Sequence, residues 1–168
     1  MIAEDLFGYL PANELVEQNQ VFRNIDGAMF ESMPDWGLGA TESGRGMSMA
    51  DLDNDGDLDI IINNLMTESV IFENQLCGGS NLTVSLRQPD TSNLDAVGTR
   101  LRLHTSAGVY QREVRIISGY LSGDSPQVHF GFPNSTQIEY LEIIWNDGEV
   151  TRLDNLEIDT QLIVTRSE

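Results

Sequence analysis

At 168 residues the chain has room for one domain or two small ones, and its 40% hydrophobic and 21% charged residues suit a folded core rather than disorder. A formal net charge of −18, with nine arginines and no lysine, disfavours nucleic acid and anionic membranes as partners and favours cations. Cys77 is the only cysteine, so no internal disulfide is available.

The charge is uneven. Fifteen acids face two arginines up to Gln75, and twelve face seven after it. The change falls at Cys77-Gly78-Gly79-Ser80, which reads as a linker. Beside the glycines, Cys77 reads as a small bland residue, with a free thiol or an intermolecular bridge as the alternatives. Met1-Ile2-Ala3-Glu4-Asp5 lacks the basic and apolar regions of a signal peptide, and no run has the length of a membrane helix.

Residues 1–20 read as an N-terminal arm, with Pro11 ending what precedes it and residues 12–17 forming a short helix or irregular segment. Residues 21–76 read as a small β unit. Val21 to Asn24 and Ala28 to Glu31 flank Asp26-Gly27, a strong hairpin signal. Trp36 is expected to anchor a core beneath the Gly/Ser/Thr-rich connection 39–46. Ile60-Ile61-Ile62 is expected as a buried strand. Asn63 to Glu68 reads as a turn, and Ser69 to Asn74 as another strand.

Between these lies Asp51-Leu52-Asp53-Asn54-Asp55-Gly56-Asp57-Leu58-Asp59. Five aspartates alternate across nine positions. Held in one compact loop they would repel, since each disfavours the ionised form of its neighbours. A hard cation removes that conflict, and D-x-D-x-D-G is the sequence form of a calcium loop. Asp51, Asp53 and Asp55 are expected as side-chain ligands, Asp57 through its carbonyl, and Asp59 as the residue that closes the shell. Gly56 stands at the sharp turn. The loop is not an EF-hand, because the twelfth position is Ile62 and the flanks favour strand. Two other readings are an acidic turn without metal and the Asp-x-Asp nucleophile loop of phosphatases. The latter needs a long apolar strand first, and Met47 to Ala50 is a weak one.

Gly44-Arg45-Gly46-Met47-Ser48-Met49-Ala50, running into this loop, resembles the FG-GAP/VCBS repeat. The resemblance implies one blade of a β-propeller with a calcium site. The Phe-Gly and Gly-Ala-Pro signatures of the repeat are absent. Residues 21–75 supply about one blade of strands, whereas a closed propeller needs at least four. Such a blade would pack on the second half or on another copy of the chain, so self-association is expected of its open edges.

From residue 81 onward the chain reads as short alternating strands, the pattern of a β-sandwich or barrel. Leu82, Val84, Leu101, Leu103, Val114, Ile116, Leu141, Ile143 and Trp145 are expected inside. Strands are expected at Tyr110 to Ile117, Gln127 to Phe132 and Gln161 to Thr165. Asn146-Asp147-Gly148 is expected to turn into Glu149 to Leu153. Asn93 with Ala96-Val97-Gly98-Thr99-Arg100-Leu101, then Gln111 to Val114, Gly119 to Ser122, His129-Phe130-Gly131 and Trp145 to Gly148, resemble the ASPIC/UnbV domain in order. Phe132-Pro133 and Asn146 depart from the family's Leu-Gly and Pro.

The whole resembles the C-terminal end of cartilage-acidic-protein-like proteins, in which FG-GAP/VCBS repeats precede an ASPIC/UnbV domain. The expected fold class is therefore all-β: one propeller-type blade at 21–76, then an antiparallel β-sandwich or barrel at 81–168. The resemblance implies a secreted or cell-surface, calcium-binding module with a protein or glycan partner and no membrane insertion. No nucleophile elbow, phosphate loop or zinc pattern appears, so no catalytic residue is assigned. His104 and His129 lie on strands and read as packed, hydrogen-bonded residues. The competing expectation is an accessory domain of a secreted or biosynthetic enzyme, for which a deep pocket holding either histidine beside a carboxylate would speak.

Overall fold

The computed structural model describes residues 16–75 and 78–166. Cys77 and most of the N-terminal arm lie outside them. The fold is all-β: the described residues form fourteen strands and one 3-10 turn. They fall into two compact units. The first comprises residues 16–48, Ile60–Phe72 and Gly119–Ser122. The second comprises Met49–Asp59, residues 73–118 and the chain from Gly123.

The first unit is built from three small sheets. β1 (Glu17–Gln18) pairs with β4 (Thr41–Glu42), so the arm ends as a strand at Glu17. β2 (Phe22–Ile25) and β3 (Met29–Ser32) form the expected hairpin. Its turn places Asp26 at φ 52° and Gly27 at φ 72°. Two positive φ values in sequence match the twist of the flanking strands, which is why Asp-Gly works here. The third sheet has the order β5 (Gly44–Ala50), β6 (Asp59–Asn64), β7 (Val70–Phe72).

Two expectations fail in this unit. Trp36 does not anchor a core. It ends the 3-10 turn Pro34–Trp36, which buries no residue, and stays 51% exposed. Ile60, Ile61 and Ile62 are half-buried rather than buried. The reason is common to both. Apolar side chains on small sheets are sequestered only when a second layer covers them.

The second unit has that layer. One sheet has the order β10 (Gly108–Glu113), β9 (Arg100–Thr105), β12 (Ile138–Ile144), β13 (Val150–Asp154). The other has the order β11 (Val128–Pro133), β8 (Gly79–Arg87), β14 (Thr160–Thr165). The inward residues alternate along each strand, as a half-buried sheet requires. Leu82, Val84 and Leu86 from β8 and Phe130 and Phe132 from β11 share one core with Leu101, Leu103, Leu141 and Ile143 of the first sheet. The architecture is a sandwich. Trp145 closes the core at one end, its indole N–H donating to Thr151 Oγ1 at 2.8 Å.

Two details differ from the sequence reading. β14 runs parallel to β8, the one parallel pair among otherwise antiparallel ladders of this unit. The strand expected to reach Ile117 stops at Glu113. Val114 is still buried, because its N–H donates to the Thr99 carbonyl at 2.9 Å and its carbonyl accepts from Gly98. Beyond it the ladder ends, so the alternation that would send Ile116 inward ends too. Ile116 is 45% exposed.

Candidate metal centre

The acidic run leaves β5 and re-enters the sheet at β6, so strands fix both of its ends. Backbone N–H groups then wind it around its own carboxylates. Gly56 N–H donates to Asp51 Oδ2 at 3.1 Å, Asp55 N–H to Asp53 Oδ1 at 3.3 Å, and Asp57 N–H to Asp55 Oδ1 at 3.1 Å. Each bond turns the chain inward at an odd-numbered carboxylate. Gly56 has φ 96°, a conformation that side chains rarely adopt.

The winding brings Asp51, Asp53 and Asp55 together. One carboxylate oxygen from each lies within 4.8 Å of the others, so this cluster could hold a metal ion. Asp57 and Asp59 are not part of that convergence. Asp59 is 3% exposed, and both its oxygens accept backbone N–H groups: Oδ1 from Asn74 at 2.9 Å and Oδ2 from Leu52 at 3.0 Å. It thereby ties the start of the loop to the segment after β7.

The electrostatics of the loop are unfavourable as they stand. Asp57 has its pKa raised, first by loss of hydration and then by the charges of Asp55, Asp59, Asp53 and Asp51. Asp53 is also raised by loss of hydration, with further contributions from Asp55 and Asp59 opposed by the Asp55 N–H. Among the described residues, Asp51 Oδ1 and Asp57 Oδ1 are buried with no hydrogen-bond partner. A dehydrated carboxylate oxygen without a donor is costly. The donor set is oxygen only, flexible and strongly negative. That is the chemistry a hard divalent cation takes, so the residues fit such an ion.

A feature the sequence did not reveal lies on the sandwich. His129 Nε2, on β11, is 2.9 Å from the Gly56 carbonyl. A Cβ placed on Gly56 would come within 2.2 Å of Asn81 Nδ2 on β8. Asn81 and His129 belong to neighbouring strands, where Asn81 stands opposite Gly131. No local signal marks these contacts, because the partner of His129 is a backbone carbonyl 73 positions away.

His104 is placed differently. Its Nε2 lies 3.1 Å from Glu142 Oε2, and its ring stacks on Tyr140 with centroids 4.1 Å apart. The Arg152 guanidinium lies 3.7 Å from the Tyr140 centroid. The set occupies the face of the four-stranded sheet turned away from the core. A groove of about 400 Å³ in the first unit is lined by Val21, Phe22, Leu38, Met47, Ile60 and Tyr120 among others, and neither histidine lines it.

Two family models match parts of this all-β chain. Residues 5–62 match the FG-GAP-like repeat, and residues 89–168 match the family described as ASPIC and UnbV. The acidic loop falls within the first match and His129 within the second, while β8 lies in neither. The order of the two matches, the FG-GAP-like repeat first and ASPIC and UnbV second, is the order that the sequence resemblance implied. No curated protein matches the chain. Among the described residues no helix is long and apolar enough to cross a membrane.

Proposed function

We propose that the chain is a calcium-binding, non-catalytic module of an extracellular or cell-surface protein, similar in organisation to cartilage-acidic-protein-like proteins. One observation carries the calcium assignment. Three carboxylates converge within 4.8 Å, and two carboxylate oxygens of the same loop are buried without a partner. Asp51, Asp53 and Asp55 hold the ion through their side chains. The Asp57 carbonyl adds a further oxygen, and Asp59, held by the Leu52 and Asn74 N–H groups, closes the loop from outside the cluster. The ion neutralises charge where it is densest and so stabilises the folded loop.

The partner is a protein or glycan at a surface. Supporting this reading, the resemblance is to proteins that are secreted or on the cell surface. His104 beside Glu142 stands on an open sheet face rather than in a deep pocket, which gives the accessory-enzyme reading no support. The test is calorimetric titration of calcium into the full chain and into Asp53→Ala. Wild type should bind with a dissociation constant of about 10⁻⁴–10⁻³ M, the range of extracellular modules. Asp53→Ala should lose most of the heat. Equal heats from the two proteins would sink the assignment.

A further inference from the structure

We propose that His129 is a positioning residue for the cation loop, so that ion binding in the repeat-derived loop is coupled to the sandwich. The inference rests on the calcium reading of that loop.

A carbonyl only accepts, so His129 Nε2 carries the proton it shares with Gly56. The Gly56 carbonyl and the Asp57 N–H belong to one peptide unit. That unit is planar, so fixing its oxygen fixes the direction of its N–H. The same N–H donates to Asp55 Oδ1 at 3.1 Å. His129 therefore holds one end of a rigid peptide whose other end orients a carboxylate of the converging cluster. It touches no ligand directly.

The anchor itself is stiff. β11 is paired along its length with the central strand β8, and His129 stands opposite Thr83. Asn81 fills the space beside Gly56 on the same sheet face. The loop thus rests against two adjacent strands of the sandwich at its sharpest turn. Any ion that favours this loop geometry must favour the His129 contact by the same factor, because coupling between two equilibria is reciprocal. Groups that orient metal ligands from outside the first layer affect affinity by roughly 10–100-fold.

Calcium titrations on the full chain test this with wild type, His129→Ala and His129→Gln. The glutamine amide keeps an N–H donor. His129→Ala should bind calcium about tenfold more weakly, and His129→Gln should recover most of the loss. In wild type, the ¹⁵N resonances of the His129 ring should shift as calcium is added, a readout that requires no variant to fold. Wild-type binding with no change in His129→Ala, or with a ring signal indifferent to calcium, overturns the coupling and leaves the calcium reading standing. A wild type that binds no calcium overturns both.

Discussion

The two units share a secondary structure and differ in what they do with it. Every buried hydrophobic side chain among the described residues lies in the second unit. In the first, Phe22, Met29, Phe30, Trp36 and Ile71 are exposed although most of them lie on strands. Alternation of apolar and polar residues is present in both. Among the described residues, only the second unit sets two sheets face to face, and only there does alternation become a core. A strand pattern specifies a face, and a second layer is needed to bury it.

The largest effect expected from this contrast is in the cores. Phe130 is fully buried on β11, and Phe30 is 71% exposed on β3. Phe130→Ala should cost about 3–5 kcal/mol by loss of transfer free energy and creation of a cavity. Phe30→Ala should change stability by no more than about 0.5 kcal/mol. Urea unfolding of both variants measures the difference. Similar costs would mean that the first unit buries Phe30 in solution, and the contrast would collapse.

A smaller effect separates the two glycine turns. Gly56→Ala should cost about 1–3 kcal/mol, the range for a side chain forced into an unfavourable backbone region. The added methyl also meets Asn81. Gly27→Ala in the β2–β3 hairpin also imposes a positive φ, but the space around it is open. Its cost should therefore be the lower of the two, near 1 kcal/mol. Thermal unfolding with and without calcium should also show that only Gly56→Ala reduces the calcium-induced stabilisation.

The smallest effect concerns acid. Asp147, in the turn between β12 and β13, has its pKa lowered below 3.8, first by the hydrogen bond from Arg166 and then by the Glu149 N–H. Arg166 Nη2 donates to Asp147 Oδ2 at 2.7 Å. A carboxylate with a depressed folded pKa contributes stability that is present above its unfolded value. That contribution is lost as pH falls through the folded value. Asp147→Asn should therefore lower sandwich stability slightly at neutral pH and flatten its further loss as pH falls below 3.8. An unaltered acid limb in the Asn variant would show that the turn contributes nothing.

Much of the sandwich was legible in the sequence because its information is local. Leu101 with Leu103, and Leu141 with Ile143, declare their faces by period two. Asn146-Asp147-Gly148 declares its turn through Gly148 at φ 93°. The acidic loop was legible for the same reason, since five aspartates at alternate positions state their chemistry without reference to anything distant.

What the sequence determined by itself was therefore most of the strands and turns, the convergence of Asp51, Asp53 and Asp55, and the strongly acidic character that favours cations. Tertiary structure alone decided three things. It decided that Trp36 and Ile116 stay exposed, because burial depends on whether another layer or a continuing ladder is there. It decided that β14 runs parallel to β8, because strand direction follows from the path of the chain between elements. And it decided that His129 meets Gly56, because every residue offers the same carbonyl, and only the folded chain selects which one a distant side chain reaches.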